Sequence, residues 1–367
     1  MAHAVESPAD TDLEFTTSEL TGALGDSVTV LPLLVALGAT TNVSLPHVLI
    51  GFGLFQIVWG VYYGLPLSVE PMKALIGLAI VGTLTYAELA AAGLLAGGVL
   101  LTVGQLGLVG RLQQVVGEPV IRGVQLAVAL LLLEAAVDLS LSNLPIAVAG
   151  LAVVGLLALV GSRGASVLVV LGLGGVVAVA TTGVPTPTVP TLAVFPAGPP
   201  SVSAAALEGT VAQLGMTIGN AAIATALLCG DLYDREIAAD TLSTSMGITC
   251  LAAVPFGGVP MCHGSGGLAG KYAFGARTGG ANVLLGVGYL ALALVAAGAV
   301  LAAFPMAILG VLLVVVALEL ARAAFEPVSD ARSLALVVAV GVVGLLVNVG
   351  VAFALGTVTV WLLSRRS

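Results

Sequence analysis

Two short stretches of an apolar chain carry the side chains that can do chemistry. The first, PLSVEPMKAL, contains Glu70, Pro71, Met72 and Lys73, and places a carboxylate and an ammonium group three residues apart on one helical face. Lys73 would supply a positive charge to an anion, and Glu70 would oppose an anion unless it were protonated or paired. Two interpretations stay open: a Glu70–Lys73 pair that only stabilises the start of a helix, or a Glu70 that exchanges a proton.

The second stretch, VPMCHGSGGLAGKYAFGAR, has the same layout and contains Cys262, His263, Gly264 and Ser265. In both stretches an extended run ends at a proline, where a helix begins. The free N–H groups of such a helix start, with a dipole of about half a charge, favour an anion. Small side chains would let an oxyanion reach the backbone, and Ser265 would add a hydroxyl donor. The alternative is that the glycines only allow helices to cross closely.

Two further polar residues occupy equivalent places in the two halves of the chain. Asp26 follows Gly25 near the start of the first half, and Asn220 follows Gly219 near the start of the second. Either side chain would bond a substrate or hold a broken segment in place, and structural capping is the alternative for Asp26.

Several kinds of chemistry are not encoded. The three histidines are far apart, and no His/Cys/Asp cluster has metal-ligand spacing. The chain lacks a Walker motif, an HExxH motif and a paired nucleophile and base. We therefore expect no enzyme activity, metal, cofactor or nucleic-acid partner. The three cysteines are dispersed, which predicts no disulfide framework.

The composition indicates where these stretches lie. Of 367 residues, 59% are hydrophobic and only 8% are charged, whereas soluble domains carry about 25% charged residues. The chain is therefore predicted to be an all-α polytopic membrane protein, and its 48 glycines fit tight helix–helix contact.

Fourteen apolar segments are predicted, seven on each side of a proline-rich linker. An odd number per half makes the two halves enter the membrane in opposite senses, which is a 7+7 inverted repeat with two discontinuous half-helices. The segments fall at 21–40, 46–64, 71–85, 87–107, 119–138, 144–162, 165–183, 205–228, 241–257, 261–275, 281–303, 306–324, 331–347 and 349–364.

Four units follow from this pattern. An acidic tail, read as solvated, covers residues 1–20, and the first repeat covers residues 21–185. The linker at residues 186–204 belongs to the run PTPTVPTLAVFPAGPPSVS, whose six prolines preclude a helix. The second repeat covers residues 205–364.

The basic residues predict the orientation. With fourteen crossings and a cytoplasmic N-terminus, every Lys and Arg except Lys73 falls on the cytoplasmic side, as the positive-inside rule requires. Both termini are then cytoplasmic, and Lys73 is the one basic residue expected within the membrane.

Three motifs resemble the signature regions of the molybdate transporter family, a branch of the sulfate-permease-like superfamily. They are LTGALGDSVTVLPLL, GFGLFQIVWGVYYGLPLSVEPMKAL and VPMCHGSGGLAGKYAFGARTGG. The resemblance implies oxyanion binding between the half-helices of spans three and ten. It also implies a core domain (21–107 and 205–303) that moves against a gate domain (119–183 and 306–364). In one departure, Glu70 stands where the family pattern usually has Gln.

We therefore expect a cell-membrane secondary transporter of a tetrahedral oxyanion, with molybdate as first candidate and sulfate as second. An anion channel on the same scaffold is the alternative, and homodimers are common on this architecture. The expected pocket consists of Glu70, Pro71, Met72, Lys73, Cys262, His263, Gly264 and Ser265, supported by Asp26 and Asn220, with Glu70 as the coupling candidate.

Overall fold

The computed structural model describes residues 12–161, 163–191, 193–296 and 298–364. Its elements are helices apart from two short strands, β1 (Glu70–Pro71) and β2 (Met261–Cys262). The helices of the first half are α1 Thr17–Thr40, α2 Leu45–Tyr63, α3 Lys73–Ile80, α4 Tyr86–Gln105, α5 Val109–Val116, α6 Glu118–Leu141, α7 Leu144–Leu159 and α8 Arg163–Thr182.

The second half repeats this order. Its helices are α9 Ala204–Met216, α10 Ala224–Tyr233, α11 Ala239–Ala253, α12 Ser265–Ala273, α13 Gly280–Ala293, α14 Ala299–Ala302, α15 Met306–Phe325, α16 Ala331–Leu346 and α17 Val349–Ser364. A π-helical segment, Thr217–Ile223, joins α9 to α10, and a 3-10 turn, Val254–Phe256, follows α11.

Each of the fourteen predicted segments coincides with helix in the structure. Among the described residues, seven helices are long and apolar enough to cross a membrane by length and composition, and four further apolar helices are shorter. The half-helices α3 and α12, of 8 and 9 residues, are too short to cross alone because each begins in mid-segment after a strand. The short helix α5 is an addition to the prediction, and the predicted segment 281–303 contains both α13 and the short helix α14.

Local sequence signals set the helix ends. Thr85 and Glu88 form a reciprocal capping box at the start of α4. The Asn143 side chain caps α7, and the Asp330 side chain caps α16. Gly64 ends α2 at a φ of 63°, a left-handed conformation that glycine adopts without strain.

The helices pack into two bundles. In the first bundle α2 packs on α13, α4 on α11 and α1 on α12, so that each pair joins one half of the chain to the other. In the second bundle α6 packs on α15 and α16, with α7, α8 and α17 around them. By order in the chain, α2 and α11 are the second spans of the two halves, and α4 and α13 are the fourth. The second span of each half thus packs on the fourth span of the other, which is the pattern that an inverted repeat produces.

Glycine allows the close approach of α4 and α11. A Cβ on Gly97 would stand 2.8 Å from the Cβ of Cys250 and 3.2 Å from the carbonyl oxygen of Gly247. Small residues at such a crossing let the two backbones approach each other. The neighbouring Gly98 has nothing within 4 Å of the same position.

The acidic tail is shorter than predicted. Residues 1–11 lie outside the described residues, but α1 already begins at Thr17, and Glu19 is buried. The Glu19 carboxylate accepts hydrogen bonds from the backbone N–H groups of Arg277, Thr278 and Ala281 at 2.8, 3.0 and 3.2 Å. The sequence alone predicts a solvated Glu19, because these partners are about 260 positions away in the chain.

The described part of the proline-rich linker has no helix or strand before Ala204, where α9 begins. Its backbone instead bonds to the first bundle, since Thr188 N donates to Leu294 O at 2.8 Å and Phe195 N donates to Pro255 O at 2.7 Å. The linker thus follows the surface of the bundle between the two halves.

The glycine crossing predicts a contrast between adjacent positions. Gly97→Ala should lower the free energy of unfolding by about 1–3 kcal/mol, because the added methyl group overpacks the α4–α11 contact. Gly98→Ala is the matched control and should be neutral or stabilising, because alanine is the better helix former. Thermal unfolding of both purified variants in detergent measures the contrast, and equal midpoints would contradict the crossing.

Candidate functional site

An antiparallel strand pair brings the two broken segments together. Glu70 pairs with Cys262 and Pro71 with Met261, and Met72 N donates to Pro260 O at 2.9 Å. Helix α3 begins at Lys73 and α12 at Ser265, directly after these strands. The pair therefore places the N-terminal ends of both half-helices at one point in the interior.

The Glu70 carboxylate lies between the two helix starts. Its Oε2 atom is 2.6 Å from Lys73 Nζ, and its Oε1 atom accepts a hydrogen bond of 2.9 Å from Gly267 N in the first turn of α12. Glu70 is buried, and a Cβ on Gly264 or Gly267 would collide with its carboxylate. The Glu70 carboxylate thus binds the ammonium group of Lys73 and a backbone N–H at the start of α12, the two groups that would favour an external anion.

The two half-helices differ in how open their first turns are. At α3, Gln213 Oε1 accepts from Ala74 N at 2.9 Å and from Leu75 N at 3.4 Å. At α12, Gly266 is exposed, and nothing lies within 4 Å of the position of its missing Cβ. The start of α12 is therefore the one with open space in front of it.

His263 is held by both ring nitrogens. Its Nδ1 atom lies 3.1 Å from Ser68 O, and its Nε2 atom lies 2.7 Å from Ser245 Oγ. The ring is buried and meets the aromatic rings of Trp59 and Tyr63 edge-on. These contacts fix the orientation of β2 relative to the helices behind it.

A cavity of about 770 Å³ lies between the two bundles. Its wall includes α1, both half-helices and the π-helical segment on one side, and α6, α7, α8 and α15 on the other. It brings together eight of the ten predicted site residues: Glu70, Pro71, Lys73, Asn220, Cys262, His263, Gly264 and Ser265.

Met72 and Asp26 do not line this cavity. Met72 is fully buried at the position before α3, where its backbone N–H bonds across to Pro260. Asp26 is also fully buried, and its Oδ2 atom is 3.2 Å from Lys271 Nζ and accepts from Gln56 Nε2 at 3.2 Å. The structure places both residues in the packing around the site.

Lys271 lies in the interior of the protein. The sequence predicts it at the end of span ten, and the structure places it in the last turn of α12, where it is fully buried. Besides its ion pair with Asp26, it donates to Gln56 Oε1 at 3.2 Å and to Asn282 Oδ1 at 2.6 Å. A hydropathy profile cannot show this, because the partners come from three other helices.

The second bundle contributes polar groups that the sequence analysis did not assign to the site. Gln125 Oε1 accepts from Asn220 Nδ2 at 3.1 Å and from Arg122 Nη1 at 3.4 Å. Gln125 Nε2 in turn donates to Leu320 O at 3.2 Å. Asn220 lies in the π-helical segment, an irregularity that often marks functional sites. Arg122, Gln125 and Gln213 all line the cavity.

Comparison with known proteins identifies the family. The family model described as "Molybdate transporter of MFS superfamily" matches residues 18–132 and 205–320, more than half of the chain. The chain is 30% identical to Molybdate transporter 2 of Arabidopsis thaliana, over 95% of this chain and 88% of that protein. It is 28% identical to Molybdate transporter 1 of Chlamydomonas reinhardtii, over 97% and 93% of the two chains.

The chain belongs to the molybdate transporter family. The match confirms the resemblance seen in the three sequence motifs, and it identifies a multi-pass membrane protein whose relatives are transporters.

Solved structures show the fold of this molybdate transporter family member. The transmembrane domain of a cyanobacterial bicarbonate transporter, BicA, matches with a TM-score of 0.68 at 20% identity, over 94% of this chain and 98% of that chain. The murine anion transporter Slc26a9 in its inward-facing state matches with a TM-score of 0.67 at 13% identity, over 96% and 68%. These likenesses confirm the predicted fold class.

The buried ion pair of Asp26 and Lys271 predicts that substitutions of these two residues have strongly non-additive effects on stability. Lys271→Met should lower the free energy of unfolding by about 3–5 kcal/mol, because it leaves the Asp26 carboxylate buried without its cation. Adding Asp26→Asn to this variant should restore much of the loss.

Thermal unfolding of the two single variants and the double variant measures this coupling, and Arg332→Met at an exposed position is the control. Additive effects of the two substitutions would show that the pair carries no interaction energy.

Proposed function

We propose that this protein is a secondary active transporter that carries molybdate into the cell by alternating access. The observation that carries the proposal is the open start of α12, which lies beside Lys73 in the wall of a cavity between two bundles. Membership of the molybdate transporter family supports molybdate as the substrate.

The proposed pocket combines three sources of positive potential. The first turn of α12 offers backbone N–H groups and a helix dipole, and Ser265 adds a hydroxyl donor. Lys73 supplies a formal charge, and its side chain is 21% exposed toward the cavity that it lines. Asn220 also lines the cavity on the side of the half-helices, and Arg122 on α6 lines the facing side. A tetrahedral dianion placed at Gly266 would be reached by donors from both bundles.

Glu70 is the proposed coupling residue. Its carboxylate binds the Lys73 ammonium group and the backbone N–H of Gly267, and the dianion would bind the same two groups. A second negative charge beside this carboxylate would be repelled, because like charges in a poorly solvated site interact strongly. Substrate binding therefore requires that Glu70 be neutralised or moved, which links substrate to a second ion.

The two-sided wall of the cavity supports alternating access. We assign the first bundle as the core domain (21–107 and 205–303) and the second as the gate domain (119–183 and 306–364). The wall reaches the first turns of α6 and α8 and the last turns of α7 and α15. With the orientation inferred from basic residues, these ends are cytoplasmic, so this is an inward-facing state. Rocking of the core against the gate would open the other side.

Substrate selectivity is the first test. Molybdate and tungstate should raise the thermal midpoint of the purified protein by mass action, and sulfate should do so less. Stabilisation by sulfate alone would make sulfate the substrate, and no stabilisation by any oxyanion would contradict the proposal. Saturable, competable uptake in proteoliposomes would support a carrier, whereas conductance beyond carrier turnover would identify an anion channel.

Lys73 provides the mutational test. Lys73→Ala should abolish molybdate uptake and molybdate-induced stabilisation, because it removes the formal charge at the pocket. Arg332→Ala removes a positive charge from the exposed start of α16 and should leave both unchanged. Unaltered uptake by Lys73→Ala would place the substrate elsewhere.

Glu70→Gln should strengthen molybdate binding, whereas Lys73→Ala should abolish it. The amide keeps the shape of the side chain but frees Lys73 of its counter-charge, so molybdate should bind about tenfold more tightly or better, a gain of about 1.4 kcal/mol. Accumulation of molybdate against its gradient should be lost, because the coupling group is gone. Isothermal titration and proteoliposome uptake measure the two effects, and weaker binding would show that Glu70 contacts the substrate favourably.

A further inference from the structure

Three side-chain oxygens converge beside Gly267, on the side of α12 that faces α1 and β1. They are Asp26 Oδ1, Ser68 Oγ and Glu70 Oε1, and each is closer than van der Waals contact to the position that a Cβ of Gly267 would take. They come from α1 and from the stretch that leads into β1, and the residues that carry them are at most 2% exposed. Only a glycine at this position leaves room for them to approach one another.

Two of these oxygens have no partner. Asp26 Oδ1 and Ser68 Oγ are buried, and no hydrogen-bond partner reaches either atom within the described part of the chain. A buried polar atom without a partner costs about 1–3 kcal/mol, so such atoms need an explanation. Here both unpartnered atoms point to the same small space as a carboxylate oxygen of Glu70.

Carboxylate and hydroxyl oxygens, rather than the two neighbouring ammonium groups, approach the space beside Gly267. Lys271 binds the other oxygen of Asp26, and Lys73 binds the other oxygen of Glu70, so both ammonium groups lie on the outer sides of the cluster. The other titratable groups that face the two carboxylates are Cys262 on β2 and Tyr289 on α13. His263 faces Ser68 through the carbonyl oxygen of that residue.

We propose that a small cation, Na+ or a proton, binds between Asp26, Ser68 and Glu70 and is the ion that drives transport. Hydroxyl and carboxylate oxygens are ligands for hard cations, and the same atoms can share a proton. The site would satisfy both unpartnered atoms. The inference rests on the proposed function, and extends it by naming the residues and the chemistry of the coupling site.

The location of the site explains how cation and oxyanion would bind together. Glu70 Oε1 is the atom that accepts from Gly267 N, so a cation on Oε1 weakens that hydrogen bond and neutralises the carboxylate. The first turn of α12 and Lys73 then become available to the dianion. Linkage requires that each ligand raise the affinity for the other by the same factor.

The test measures molybdate affinity of the purified wild-type protein by isothermal titration. One arm replaces choline with Na+ at constant pH, and the other lowers the pH in choline without Na+. In one arm the molybdate affinity should rise at least tenfold, and that arm identifies the cation. Equal molybdate affinity in all conditions would overturn the cation site while leaving molybdate binding, and thus the proposed function, intact.

Ser68→Ala is the sharpest variant because the hydroxyl it removes has no hydrogen-bond partner among the described residues. Its thermal midpoint without ligand should equal or exceed that of the wild type, while the cation-dependent gain in molybdate affinity should fall at least fivefold. Ser243→Ala is the matched control, since Ser243 Oγ donates to Leu100 O at 2.8 Å. It should lower the midpoint and leave the cation effect unchanged.

Asp26→Asn gives a second, independent readout and should abolish the cation effect while its amide still accepts from Lys271. A full cation effect in Ser68→Ala, or in folded Asp26→Asn, would overturn the proposal. If Asp26→Asn does not fold, Ser68→Ala decides alone. Absence of molybdate binding in the wild type under every condition would instead contradict the proposed function.

Discussion

The pairing of β1 with β2 is the constraint on which the rest of the structure depends. Each strand interrupts a span, so its backbone groups must be satisfied inside the protein, where water and lipid cannot do so. The two breaks satisfy each other, Glu70 against Cys262 and Pro71 against Met261. This exchange forces two half-helices from opposite halves of the chain to begin at the same depth. It therefore creates the site and joins the two repeats in one step.

Placing two helix starts in the interior concentrates positive potential, and the chain balances it with its own side chains. Gln213 satisfies the first turn of α3, and Glu70 satisfies that of α12 while pairing with Lys73. A neutral amide at one helix and a carboxylate at the other leave the two ends unequal. Only the second has a partner whose charge can change, and this asymmetry gives the site a candidate switch.

Within the first bundle, the buried residues Asp26 and Lys271 likewise balance each other's charge. Removing two charges from water is costly, and the pair persists because Gln56 and Asn282 supply further hydrogen bonds to it. Lys271 belongs to α12, so its attachment to Asp26 on α1 fixes the half-helix against the long helix beside it. These contacts hold the half-helix firmly in the first bundle, as the proposed movement against the second bundle would require.

The sequence alone determined the segments, the breaks and most of the pocket. Apolar runs of span length are local signals, and so are the proline-led, glycine-rich stretches at 66–75 and 259–277, so the sequence predicts all fourteen segments and both breaks. Eight of the ten predicted site residues line the cavity, because residues next to a break are necessarily near it.

Only the tertiary structure decided which charges face each other. The burial of Lys271, the role of Glu19 and the capping of α3 by Gln213 depend on partners far away in the chain. Asp26 is turned from the cavity toward Lys271 for the same reason. Hydropathy and residue spacing describe one helix at a time, whereas the free energy of a buried charge depends on the groups that neighbouring helices bring to it.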